Sequence, residues 1–406
     1  MSETSPLGAE DPYPPTVEAA RRRIRAVRPD AYARTRNALD GEVTRLSPYI
    51  THGFVSMVDV LADVSARHEL TVRHKLVFEL GWRAYFRHVW RHRGAAIEQS
   101  LHPGPLPDDC YAASLPADIR QACTGVPVVD QAVRTLYATG VLHNHARMWL
   151  ASYVVHVRKV HWRAGADWLY GHLLDGDLAS NHLSWQWIAG TGSSKPYLFN
   201  ADNVARHAPP AWHSPGTVID APYDRLEELA RTPGAPACRG LGDAVAEPPC
   251  SGMAPADFGF TFPDPDAVAG RDVWVVHPWS LGEPPAGLPG DVRTVGVLVA
   301  DFHSARPWSD RRWRFVGERM AALADVCWQG DAATLGAALG SARRVHGVAD
   351  PHLAPWLEQL GVWQEPPALF PRVDRPCDSF SAWWRLATAG LTSATELLAN
   401  REDASP

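Results

Sequence analysis

A mainly α-helical domain followed by a smaller α/β, Rossmann-like domain is the fold class this sequence predicts. Three observations carry that reading. Apolar residues recur at three- and four-residue spacing through the first half of the 406-residue chain. A stretch dense in Pro, Gly and Ala then interrupts the pattern. Beyond it, short runs of β-branched residues alternate with amphipathic segments, which is the pattern of a mostly parallel sheet.

The helical domain is placed at residues 17–208. "VRHKLVFELGWRAYFRHVWRHR" and "VVDQAVRTLYATGVLHNHARMWLASYVVHVRKV" carry the helical period with few glycines and no internal proline. Residues 209–270 read as a linker or long irregular excursion. The α/β domain is placed at residues 271–390. There "DVWVVHP", "TVGVLVADF", "VCWQGD" and "RRVHGVAD" read as strands. "SDRRWRFVGERMAALAD" reads as an amphipathic helix with Ser309 as its N-cap, and further helices are expected from Asp331 and through Leu353–Leu360.

Composition sets the broad class. A chain of this length with 46% hydrophobic content buries a large core. No apolar run approaches the roughly 18–20 residues of a membrane helix, and "MSETSPLGAEDPYPP" lacks the apolar centre of a secretory signal. The six cysteines form no CxxC pair, which argues against a zinc or iron–sulfur site and a disulfide framework, so no metal is expected and a cytoplasmic, reducing setting is. Net charge is −6, but residues 1–215 carry 23 basic and 20 acidic side chains against 16 and 25 in the remainder. The first half is therefore the better candidate for an anionic partner.

Two segments carry candidate chemistry. On "WRAYFRHVWRHR", Arg83, Arg87, Arg91 and Arg93 are interleaved with Trp82, Tyr85, Phe86 and Trp90. Basic residues beside aromatics suit phosphate contact with base stacking, and equally suit a solvated face opposite a core stripe. In "LLDGDLASNHLSWQW", Asp175 and Asp177 flank Gly176, which permits a tight turn. Two such carboxylates suit a metal, general acid–base work, or hydrogen bonding to a ligand. Few further hard oxygen ligands lie near, and Trp162, Trp185 and Trp187 surround the acids in a chain of 17 tryptophans.

These motifs carry a resemblance. "TRLSPYITHGFVS", "ELGWRAYFRHV", "GVPVVDQAVRTLYATGVLHNHARMWLASYVV" and "DWLYGHLLDGDLASNHLSWQWIAGTGSSKPYLFN" are similar, in order, to segments of the FAD-binding domain of the photolyase/cryptochrome family, from about Tyr32 to Asn200. The resemblance implies a bent FAD inside the helical bundle. Thr44, Arg45, Leu46 and Ser47 would meet its pyrophosphate, Tyr32 and Arg83 would also contact the cofactor, Asp175 would pair with Arg147 over the isoalloxazine, Asp177 would accept from the flavin or ribose side, and Asn181 would face flavin N5. It implies a substrate wall of Glu79, Trp82, Asn144, Met148 and Trp187, and electron transfer through Trp185 and Trp162, with Tyr111 the nearest aromatic to the third position. Asn144 and Met148 resemble the class that repairs cyclobutane pyrimidine dimers in UV-damaged DNA (deoxyribodipyrimidine photo-lyase).

The sequence departs from the family pattern at several points. His145 stands where that class commonly has arginine, Val43 where threonine is usual, and "PYLFN" lacks the usual following arginine. "DVWVVHPWSLGEPP", "VGVLVADFHSARPWSDRRWRFVGERMAALADVCWQGD" and "SFSAWWRLA" resemble an antenna domain that normally precedes the flavin domain, which implies a circular permutation and leaves a second, antenna chromophore open. Three functions are compatible with this reading: light-driven repair, a cryptochrome-like photoreceptor that binds FAD without repairing DNA, and a flavin-fold scaffold without photochemistry.

Overall fold

The computed structural model describes residues 12–236, 243–357 and 361–400. Its longest helix, Lys75–Arg93, starts where the His74 ring accepts the Leu76 N–H at 3.2 Å and stops at Gly94, whose φ of 54° a residue with a Cβ adopts poorly. Leu76, Val77, Leu80 and Tyr85 form its buried face. Helix Leu178–Ala189 is capped by the Asp177 carboxylate on the Ser180 N–H and ends at Gly190, φ 79°. It packs against helix Trp162–His172 and against Lys75–Arg93.

The central segment is not continuous helix. Pro127–Thr139 stops at Gly140, φ 69°, and Asn144–Ser152 restarts behind His143, whose ring accepts the His145 N–H. The apolar period runs through this break, so the sequence pattern conceals it. A π-helical turn, Tyr153–Val157, follows.

Five parallel strands form the α/β sheet: β1 Asp272–Val276, β2 Arg293–Val299, β3 Val326–Gly330, β4 Arg344–Val348 and β5 Val362–Gln364. Their spatial order is β3-β2-β1-β4-β5. The chain therefore winds outward in one direction from β1 and then in the other from β4, which makes the β1/β4 boundary a topological switch point. Val273, Val275, Val295, Val297 and Leu298 are buried, each contributing roughly 1.5–3 kcal/mol.

Local expectations shift in four places. "ADF" after β2 opens a short helix, Ala300–Ala305, rather than extending the strand. Ser309 occupies the N-cap position of helix Asp310–Leu323, but its hydroxyl makes no capping bond. The helix expected through Leu353–Leu360 is described as Ala354–Leu357; residues 358–360 lie outside the described residues. The Pro/Gly-rich segment contains helix Tyr223–Arg231 and a two-residue strand, Cys250–Ser251, paired with Trp308–Ser309.

Two hydrophobic cores result. One joins Tyr13–Ile97 and Tyr170–Leu183 to the sheet and to the closing helices as far as Leu397. The other holds Leu115–Ile219, including Trp149, Trp162 and Trp185. Among the described residues, no helix is long and apolar enough to cross a membrane.

Candidate functional site at the Asp175–Gly176–Asp177 loop

The loop between helices Trp162–His172 and Leu178–Ala189 is gripped from both sides. Arg147 Nη2 lies 2.9 and 2.8 Å from the two oxygens of Asp175, which is 5% exposed. Burial opposes the Asp175 charge, yet the Arg147 guanidinium holds the carboxyl below its ordinary range. Arg312, buried beneath Tyr170 and Trp308, donates to Gly176 O at 2.6 Å and Tyr170 O at 2.8 Å. A methyl group on Gly176 would overlap the Arg312 guanidinium, so this glycine serves close approach rather than a positive-φ turn. His52 Nε2 lies 2.8 Å from Leu174 O, and its Nδ1 lies 2.5 Å from Pro278 O in the α/β domain.

Asp177 is 1% exposed and 2.7 Å from Arg87 Nη2. Burial alone would raise its pKa, but Arg87 brings it down to about 2. Arg87 also reaches Asp350 at 3.1 Å. Arg83, one turn earlier on the same helix, donates to Ser47 Oγ at 2.7 Å and Thr51 Oγ1 at 2.9 Å. Asn181 uses its amide to donate to Ala166 O at 2.8 Å.

Tyr32, Thr44 and Arg45 line a polar cavity of about 330 Å³ together with Arg23, Arg28, Asp40 and Glu42, and Arg28 pairs with Glu42. Arg45 holds a φ of 53°, a costly conformation for a residue with a side chain. Leu46, behind it, is buried, and Ser47 begins helix Ser47–Thr51. Guanidinium donors in excess of the acids and hydroxyl donors around the polar cavity suit a diphosphate, and the buried Arg147–Asp175 pair suits a planar hydrogen-bonding ring. The donor chemistry fits FAD.

A second group gathers around Arg36. Glu79 forms an ion pair with Arg36 at 3.1 Å, and burial, opposed by Arg36, leaves its pKa raised. The Arg36 carbonyl lies 3.0 Å from His143 Nε2, and His143 leads directly into Asn144, whose amide is 3.6 Å from Met148 Sδ. Arg36 thereby links Glu79 to the start of the helix that carries Asn144 and Met148. Trp82 and Trp187 have other partners. Trp82 stacks on Phe380 of the α/β domain at 4.0 Å and 12°, and Trp187, 41% exposed, packs 5.6 Å from Tyr197. His145 is half-buried between His143 and His207; burial and then His143 lower it to about 4, so it is neutral at pH 7.

Trp185 is buried against Gly165. Trp162, also buried, donates to Ser100 Oγ at 2.9 Å. Trp162 and the half-buried Tyr111 line one small cavity with His161 between them. Sequence reasoning gave no role to Arg36, Arg312, Asp350 or His352. Arg87 had a signal, since it lies four residues after Arg83 on one helix face. The others are joined to the site only by tertiary structure.

The site lies within a helix-rich segment that resembles known flavin-binding domains. Residues 76–211 match the FAD binding domain of DNA photolyase. The deoxyribodipyrimidine photo-lyase of Streptomyces griseus is 36% identical over 156 residues, 38% of this chain and 34% of that protein. That of Thermus thermophilus is 37% identical over 173 residues, 41% and 40% of the two chains. A cryptochrome DASH of Ostreococcus tauri is 28% identical over 265 residues, 63% of this chain and 44% of that one. A Synechocystis cryptochrome structure aligns at 25% identity and a TM-score of 0.41, covering 47% of this chain and 43% of that one. The chain spans well under half the length of each of these curated relatives.

Proposed function

We propose that this chain repairs cyclobutane pyrimidine dimers in DNA by light-driven electron transfer, the reaction of a deoxyribodipyrimidine photo-lyase. Tyr32, Thr44, Arg45, Leu46, Ser47 and Arg83 hold the phosphate side of FAD, while Arg147, Asp175, Asp177 and Asn181 fix the flavin edge. When bound, reduced and excited by light, FAD would supply the electron that opens the cyclobutane ring and would take it back once the ring has split. Asp175 and Arg147 neutralise one another, so the flavin edge meets a paired carboxylate rather than a lone one. Tyr111, Trp162 and Trp185 lead from a half-buried tyrosine to a fully buried indole and serve as the photoreduction path.

One observation supports repair: the Glu79–Arg36 ion pair and the hydrogen bond between His143 and the Arg36 carbonyl link Glu79 to the segment that carries Asn144 and Met148. A carboxyl whose pKa burial has raised donates a hydrogen bond to a pyrimidine carbonyl more readily than an ordinary carboxylate does. Trp187 then walls the cavity around the flipped dimer, and Trp82 joins it once Phe380 leaves its face. The α/β domain following the flavin domain supports a circularly permuted order, and five unpaired cysteines among the described residues support a reducing, cytoplasmic setting.

Phe380 stacked on Trp82 favours a second reading, a photoreceptor whose substrate cavity is closed by its own chain. Affinity for a dimer-containing oligonucleotide against its undamaged counterpart separates the two. Repair requires at least about a tenfold preference for the dimer; equal affinities favour the photoreceptor.

A further inference from the structure

In open parallel sheets, ligands bind outside the carboxyl ends of the strands at the switch point. Here that crevice lies between the ends of β1 and β4, and the chain's own side chains fill it. Trp279, three residues beyond β1, stacks face to face on His352, four residues beyond β4, at 4.2 Å and 8°. Phe302 meets both rings, 5.0 Å from Trp279 and 5.9 Å from His352. Trp90, from the helix Lys75–Arg93, closes edge-on over His352 at 4.8 Å. Trp279, Phe302 and His352 are at most 4% exposed. The neighbouring His303, without a hydrogen-bond partner, sits edge-on to Trp308 at 4.4 Å and 82°, so its ring packs on an indole.

Asp350 and His352 spend their polar atoms on the flavin domain, while Trp279 Nε1 and both ring nitrogens of His303 have no hydrogen-bond partner. His352 Nδ1 lies 2.6 Å from Asp350 Oδ1, which fixes the proton on that nitrogen and leaves Nε2 to accept the Leu178 N–H at 3.2 Å. Asp350 Oδ2 takes Arg87 at 3.1 Å, and the same guanidinium holds Asp177 at 2.7 Å. A closed network of Arg87, Asp177, Asp350 and His352 thus joins the two domains. It acts on the acid and on the first helical N–H that follow Gly176.

We propose that this crevice takes no second chromophore, and that Asp350 and His352 are instead positioning residues that fix the Asp177 carboxylate at the flavin pocket. The positioning part rests on the reading above that Asp177 borders FAD; the packing of the crevice does not. The α/β domain serves this chain as an electrostatic clamp. Removing the Asp350 charge leaves Arg87 with one carboxylate instead of two, so the guanidinium and Asp177 relax away from their present geometry.

The test uses the full chain, with every chromophore released and identified by mass spectrometry and FAD counted per chain by titration. The expected result is one FAD per chain and no second chromophore. Asp350→Asn and His352→Gln are expected to weaken FAD binding about tenfold and to shift the flavin absorption bands and reduction potential, with Asp350→Glu restoring both. A second pigment, or a second FAD site that Trp279→Ala abolishes, overturns the filled crevice. A flavin-loaded wild type whose Asp350→Asn and His352→Gln variants keep its affinity, spectrum and potential overturns the positioning role. A wild type that binds no FAD overturns the photolyase reading and the positioning role together, while its chromophore count still decides the crevice.

Discussion

Arg147 and Asp175, 28 residues apart in sequence, form a buried pair in which a single guanidinium nitrogen lies within 2.9 Å of both carboxylate oxygens. The Arg147 Nε also donates to Leu142 O at 2.9 Å, which ties the pair to the break between the two central helices. Arg147→Ala strands a buried carboxylate. The expected cost is about 3 kcal/mol, read as a lower urea midpoint, together with loss of bound FAD. Unchanged flavin content and midpoint would show that the pair is dispensable.

Gly165 packs under the Trp185 ring, and a methyl group there would overlap the indole. An Ala for Gly exchange inside a helix ordinarily stabilises by about 1 kcal/mol. Here Gly165→Ala is expected to destabilise by about 1–3 kcal/mol through overpacking. Thermal unfolding decides the sign, and a rise in Tm would contradict the packing described.

Stability should fall steeply in acid. The Asp177 carboxyl is lowered from 3.8 to about 2 in the folded chain, and Asp350 is also held below the ordinary range. Depressed carboxylates stabilise the fold above the unfolded pKa, and that contribution is lost as pH drops from about 4 towards 2. Urea midpoints measured across this window should fall, and Asp350→Asn should flatten part of the fall. An equally steep profile in the variant would remove the Arg87 network from the account.

The path through the indoles gives a kinetic prediction. Trp185→Phe should slow photoreduction of bound flavin by at least about a hundredfold, because a phenyl ring does not hold the oxidised charge an indole does. Transient absorption after a laser flash reads this directly, and a wild-type rate in the variant would route the electron elsewhere.

The helices and strands were legible because burial imposes a period of 3.6 or 2 residues on the sequence. The break at Gly140 was concealed because the apolar period continues through Val141 and Leu142 into the next helix. Gly176 showed itself as a special position, but not that Arg312, 136 residues away, is what needs the space. Thr44, Arg45, Asp175 and Asp177 were readable as a group since each sits in a local motif. Asp350 was not, because its partner Arg87 lies 263 residues earlier and no local pattern records a contact across domains.

Dimer repair tests the central claim most directly. The reduced, flavin-loaded protein is illuminated with a dimer-containing oligonucleotide while absorbance at the thymine band is followed. The account predicts that absorbance returns in the wild type, and that Glu79→Gln retains its flavin but repairs at least about tenfold more slowly. A photoreducible, flavin-loaded wild type that restores no thymine would contradict it.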